Sequence, residues 1–403
     1  MKNKFYLTTI ALIIISVSIS IAQTAYITNE TDGTVSVINT ITNTVVATIP
    51  VDSFPIGVSV SPVGNKVYVA NYLANSVSVI NTVTNTVSLT IIVGVRPLGV
   101  SVSPNGSKIY VANYSSNTVS VIDTVTNTVT ATIPVGAGPR GISVSSDGSK
   151  VFVSNWNANT ISVINTSSNT VSATIPVGNG PFGVSPDGNI VYVANLYANT
   201  VSVIDAVSNT VLTTIPVGSY PQGVAVSPDG SKVYVANSLS NNVSIINTTT
   251  NSISATISVG SYPQGLSVTP DGSKVYVANY YSNTVSVIDT VTNTVSSTIV
   301  VGNGPIAFGN FISTFPLITT GLASLQTETE NISIYPNPTS GQFTISLPTD
   351  NTEIIVTNAL GQQILKTKTT QSTTNLQLDN NGVYIVYAKT KQGTTTRKLI
   401  VNR

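Results

Sequence analysis

Gly223–Val259 reads GVAVSPDGSKVYVANSLSNNVSIINTTTNSISATISV. Four short runs rich in Val, Ile, Tyr and Thr are separated by clusters of Pro, Asp, Gly, Ser and Asn. β-Branched residues suit a pleated surface and the punctuating residues suit turns. The spacing predicts strand A over Gly223–Ser227, strand B over Lys232–Asn237, strand C over Val243–Ile246 and strand D over Ser252–Val259. Four strands and their turns fill the whole stretch and leave no room for a helix.

The stretch recurs. Val69-Ala70-Asn71 returns as Val111-Ala112-Asn113, Val193-Ala194-Asn195, Val235-Ala236-Asn237 and Val277-Ala278-Asn279, with variants at Ile27-Thr28-Asn29 and Val153-Ser154-Asn155. Five of the six intervals between these asparagines are 42 residues and one is 40. Seven four-stranded units predict an all-β fold, a seven-bladed β-propeller over residues 23–312, with an open solenoid as the competing arrangement. The phase of the repeats favours a ring. The mature chain would begin directly at a strand B, while Gly304–Gly309 opens a strand A with nothing after it; that orphan strand would complete the first blade and hide the sheet edges. The 40-residue interval removes two residues near Gly183–Pro186. The expectation is a shortened strand A whose faces are preserved, because the deletion is even.

Composition narrows the chemistry. The 403 residues include no Cys and no His, and only 8% are charged. Disulfides, thiolate nucleophiles, Ser-His-Asp triads and His-ligated haem or zinc are therefore excluded. No cofactor and no metal site is expected. Lys2 and Lys4, the apolar run from Phe5 to Ile15 and the small residues of Ser20-Ile21-Ala22 read as a signal peptide over residues 1–22, with an uncleaved anchor helix as the alternative. No other stretch is apolar and long enough to span a membrane. Without the two leader lysines, 14 basic residues stand against 15 acidic ones, a net charge of −1. No basic patch points to nucleic acid.

Tyr-Val-Ala-Asn, with Ser-Pro-Asp-Gly before it and Val-Ser-Val-Ile-Asp after it, resembles the YVTN-type β-propeller repeat over residues 24–312. The resemblance implies a shape shared with haem- and quinone-dependent oxidoreductase propellers and with archaeal surface-layer proteins. The haem-binding histidines of those oxidoreductases have no counterpart here, so their activity does not carry over.

The seven copies serve as their own alignment. Asn39, Asn81, Asp123, Asn165, Asp205, Asn247 and Asp289 share one place in the C–D turn, and Val63, Asn105, Asp147, Asp187, Asp229 and Asp271 share one, each before a Gly, in the A–B turn. Asn and Asp interchange freely, which fits Asx turns rather than charge chemistry. The asparagines ending strand B are expected to bond the backbone of their own loops. By contrast, the B–C loops and D–A crossovers vary from blade to blade and should emerge on one face. That face gathers candidate ligand-binding residues Tyr72, Tyr114, Trp156, Phe182, Tyr220, Tyr262 and Tyr280, together with Arg96 and Arg140, the propeller's two arginines. Aromatics and arginine are favoured at recognition surfaces. The expectation is an exported, non-catalytic binding module for an unknown glycan, peptide or protein. A coat or adhesin scaffold is the alternative, and the carboxylates Glu30, Asp32 and Asp52 are the remaining catalytic candidates.

Residues 313–331 read as a linker, and a small β-sandwich is expected over residues 332–403. Tyr335-Pro336-Asn337-Pro338, Gly341, the turn around Gly361, Gly382-Val383-Tyr384-Ile385 and the closing Lys398–Val401 strand resemble the type A sorting domain of the type IX secretion system. An ordinary adhesive sandwich is the alternative. The resemblance implies the type IX machinery as a partner and delivery outside a Gram-negative cell or onto its surface. It also implies a host able to O-glycosylate Asp-Thr-Val, found at Asp123-Thr124-Val125 and Asp289-Thr290-Val291.

Overall fold

A computed structural model describes residues 23–313, 333–347, 352–358, 363–389 and 394–402. The expected leader, the expected linker apart from Ser313, and Gly361 lie outside these residues. Two compact units are present, one on each side of position 320.

In the first unit every repeat is an antiparallel meander in chain order, and six of the sheets have four strands. Blade 6 is typical, with strands Pro221–Val226, Lys232–Asn237, Asn242–Asn247 and Ser252–Ser258. Strands B and C are buried on both faces, because each blade packs between two others; strand D is exposed except for half-buried Ala255 and buried Ile257. Every blade buries its Val and Ile against the next, as where Tyr110 and Ala112 meet Ile142 and Val153. The innermost strands crowd around the axis. A Cβ on Gly141 would lie 2.1 Å from the Phe182 carbonyl, and one on Gly99 would lie 2.4 Å from that of Arg140. The crossovers repeat a Pro-x-Gly frame, as in Pro97-Leu98-Gly99 and Pro139-Arg140-Gly141, and its glycine is what lets the inner strands approach so closely.

Three expectations need correction. The strand B asparagines do not bond their loops. Asn113 Nδ2 donates to Thr118 and Ser120 on strand C at 3.1 and 2.9 Å, and each of the other six reaches the equivalent pair. The amide lies against a crossover glycine: a Cβ on Gly94 would come within 2.6 Å of Asn113 Cγ. Blade 5 keeps a strand A of full length, Pro181–Asp187. The missing residues come out of the A–B turn, which closes from Asp187 to Ile190 through Gly188 at φ +55. A shortened inner strand would have opened the axis, whereas a tightened hairpin loses only solvated residues.

The closing segment is the third. Pro305 pairs with Asn29 and Ile312 with Ala25, so the chain's end does complete the first blade. Between these bridges it is no continuous strand. Two residues more than in the other blades bow inward and lace the ring: Gly265 N donates to Ile306 O, and Val58 N and Val60 N donate to Phe308 O and Asn310 O at 2.8 and 2.9 Å. The Phe308 ring stacks on Phe182 across the axis, with centroids 4.8 Å apart. Ser313, expected in the linker, belongs to the ring through Ser313 N to Thr24 O.

The second unit has a three-stranded and a four-stranded sheet around Phe343, Ile345, Ile354, Val356, Val386 and Leu399. Tyr335, Pro336, Asn337 and Pro338 form its entry. Asn337 accepts from Ile400 N and donates to Lys398 O, which fastens the last strand. Gly341 takes φ +119, and Gly382 opens the strand Gly382–Lys389 opposite Val401.

Candidate functional site

The B–C loops and crossovers share one face, stitched at every blade joint. Tyr72 N donates to Phe54 O, Tyr114 N to Arg96 O, Trp156 N to Gly138 O and Tyr280 N to Tyr262 O. The crossover residue itself needs a left-handed backbone. Gly138, Gly180 and Gly304 supply it in three joints; Phe54, Arg96, Tyr220 and Tyr262 adopt φ +56 in the other four. A bulky side chain there costs roughly 1–2 kcal/mol relative to glycine. The two kinds of joint are complementary. At the glycine joints a B–C side chain leans over the crossover: a Cβ on Gly180 would lie 2.7 Å from Tyr197 Cδ2 and 3.0 Å from Trp156 Nε1. At the others the crossover raises its own ring or guanidinium.

The result is a curved row of rings. Tyr114, Trp156, Tyr197 and Tyr220 follow one another with centroids 6.3, 5.6 and 5.7 Å apart. Tyr262, Tyr280 and Tyr281 make a second cluster. Tyr197 and Tyr281 stand well exposed, at 46% and 67%. Tyr72 lies under Arg96, whose Cζ is 5.6 Å from the ring centre.

Arg140 lies at the inner side of this row. Its Cζ is 3.9 Å from the Trp156 ring centre, 4.8 Å from Phe182 and 5.1 Å from Tyr114. Burial among the rings lowers its pKa, and the hydrogen bond with the Tyr114 side chain acts in the opposite direction. Among the described residues the one ion pair is Lys366 with Glu353, in the other unit. Arg140 Nε and Trp156 Nε1 are both buried without an acceptor. Phe182 is itself only 4% exposed and belongs to the floor, with Ile56, Leu98, Ile306 and Phe308. Below lies an axial cavity of about 60 Å³, lined by Arg140, Phe182, Leu266 and Phe308. Ligand pockets are typically ~300 Å³ or more, so the rim, not the channel, is the accessible surface.

Each carboxylate candidate has a hydrogen-bond partner on the rim. Asp32 accepts from Asn303 N at 2.7 Å and fixes the closing crossover, Glu30 accepts from the Tyr280 hydroxyl at 2.7 Å, and Asp52 accepts from Ser76 at 3.2 Å. Burial first, then the bond to Glu30, pushes the Tyr280 phenol up to about 12. The Asp-Thr-Val threonines turn inward: Thr124 and Thr290 hydroxyls donate to Gly106 O and Gly272 O at 2.7 Å. Gln222 and Gln264, the polar members of the inner ring beside Arg140, and the plug residue Phe308 were not among the sequence candidates. Pro305-Ile306-Ala307, which lacks the glycine of the other crossovers, was the one sequence sign that this crossover differs.

A YNCE-like β-propeller family profile matches residues 100–186 and 224–308, and a seven-bladed lactonase propeller profile matches residues 177–256. A secretion-system C-terminal sorting domain profile matches residues 333–402. No curated protein matches the chain. Among solved structures, hydrazine synthase of Kuenenia stuttgartiensis aligns at 24% identity and TM-score 0.57, over 62% of this chain and 87% of that one. A functionally unknown protein from Desulfotomaculum acetoxidans aligns at 17% identity and TM-score 0.62, over 72% of this chain and all of the other. At these identities the likeness is one of fold. The chain is a seven-bladed β-propeller protein that ends in a type IX secretion sorting domain.

Proposed function

We propose that the propeller is a non-catalytic recognition module, exported across the outer membrane of a Gram-negative bacterium and used at its surface or beyond. The sorting domain supports the destination. The observation that carries the recognition role is the rim: four crossovers hold Phe, Arg and Tyr in a backbone conformation that three others entrust to glycine. Strain kept where glycine would relieve it suggests that the displayed side chains are wanted for contact. A scaffold or adhesin role is the second reading. Its support is the exposed Ile41, Val83, Val125 and Val207 at the C–D turns of the opposite face.

Binding of the purified chain to a combined glycan and peptide array separates the two. Recognition by the rim predicts saturable binding that Arg96→Ala, Tyr197→Ala and Tyr281→Ala together abolish, with the melting temperature unchanged. Absence of saturable binding favours the scaffold. Turnover in a hydrolase screen would displace both in favour of an enzyme.

A further inference from the structure

We infer that the rim around Arg140 binds an acidic oligosaccharide, with the sugar rings on the aromatic row and a carboxylate or sulfate ester on the guanidinium. The inference rests on the rim being a recognition surface and names its ligand class.

Three observations lead there. The first is charge. Arg140 is a partly buried cation packed against three ring faces and hydrogen-bonded to the Tyr114 side chain, with its Nε left without an acceptor. Ring faces attract a desolvated guanidinium, while a desolvated charge still calls for a counter-ion. Among the described residues no carboxylate forms an ion pair with it. An oxygen anion from outside would, and the planar fork of arginine suits a two-oxygen partner.

The second is the row of rings beside it. Tyr114, Trp156, Tyr197 and Tyr220 offer faces and edges in sequence across successive blade joints. Such a surface is amphipathic, with apolar ring area fringed by hydroxyls. It complements a sugar, which is apolar on the face of its ring and polar around the edge.

The third excludes an extended peptide. Peptides added to a sheet or edge are held through main-chain hydrogen bonds. Here the rim's own main chain is already paired. Arg96 N, Tyr220 N and Tyr262 N donate to Asn75, Asn199 and Asn241 Oδ1 at 2.8–2.9 Å. Their carbonyls accept from the next blade. Recognition must pass through side chains, and those present are rings, a guanidinium and amides.

The test is calorimetric titration of the whole chain with four probes: oligogalacturonate, its full methyl ester, a sulfated carrageenan oligosaccharide and a neutral galactan oligosaccharide. An acidic probe is expected to bind saturably and at least tenfold more tightly than the neutral ones. Arg140→Gln should erase that preference, and raised salt should weaken it. Tyr197→Ala, which leaves the guanidinium's cage intact, should weaken acidic and neutral probes alike. Near-ultraviolet circular dichroism and melting of each variant report whether the rim is still folded. Equal binding of the ester and the acid, or a preference unchanged in Arg140→Gln, overturns the acidic-sugar assignment and leaves the recognition role standing. Binding of none of the four sugars overturns the assignment as well, and saturable binding of array peptides alone would then point to a peptide-recognition surface.

Discussion

Seven glycines at equivalent crossover positions would be the cheap way to turn this chain from one blade to the next, and the protein uses three. Other glycines are not negotiable, and the two kinds separate experimentally. Gly141 has an ordinary φ, but an added Cβ would meet the Phe182 carbonyl at 2.1 Å. Gly188 has nothing within 4 Å but sits at φ +55. Gly141→Ala should therefore cost about 2–3 kcal/mol through overpacking, and Gly188→Ala about 1–2 kcal/mol through the left-handed backbone alone. Midpoints of urea unfolding check both, and a larger loss at Gly188 would contradict the account. The Pro-x-Gly frame was visible in the sequence. Its cause was not, because contact between inner strands of different blades is a property of the closed ring.

At the scale of elements, turns and strands were legible where local chemistry decides them. The C–D turns are Asx turns: Asp123 Oδ1 accepts from Val125 N and Thr126 N, both at 2.9 Å, as Asn39 Oδ1 accepts from Ile41 N. The A–B turns bear a titratable version of the same device. In blade 4 Asp147 accepts from Ser145 Oγ and Ser149 N, and in blade 3 Asn105 does so without a charge. Hydrogen bonds from Ser145 and Ser149 hold Asp147 down to about 2, and those from Ser227 and Ser231 do the same for Asp229, against an ordinary 3.8. A depressed carboxylate contributes stability above its unfolded pKa and loses it as pH falls through the folded one. Burial pushes Tyr26, Tyr68 and Tyr234 up to about 12, so their contribution is lost as pH rises above about 10. The chain has no His to titrate between these limits. Melting temperature should be flat from about pH 5 to about 9 and fall on both sides. Asp147→Asn with Asp229→Asn should leave the plateau in place and make the acid limb shallower. A step near neutrality would contradict this.

For the whole molecule the deciding interaction joins residues almost 290 positions apart. Propeller blades cannot bury their own faces, so the ring is stable to the extent that its first and last blades meet. The clasp has an outer and an inner part. Outside, Tyr26 N bonds Phe311 O, and Lys274 reaches from blade 7 to Thr40 O of blade 1 at 3.1 Å. Inside, Phe308 and Asn310 carbonyls take blade 2 amides, and the Phe308 ring covers Phe182. The orphan strand was legible from repeat phase. The inner part was not, since its two extra residues have no counterpart in the other six copies to be compared with. The parts should fail differently. Removing residues 304–313 takes Ala307 and Phe311 out of the core, exposes strand B of blade 1 around Ala25, Tyr26 and Ile27, and should abolish cooperative unfolding or lower the melting temperature by well over ten degrees. Phe308→Ala keeps the strand and empties the plug, costing about 3 kcal/mol by cavity formation. Because Phe182 forms the floor beneath Arg140, that variant should also loosen the rim, seen as weaker tryptophan near-ultraviolet dichroism from Trp156, the chain's single tryptophan. A truncated chain that melts as the intact one does would show that the ring is held without its clasp.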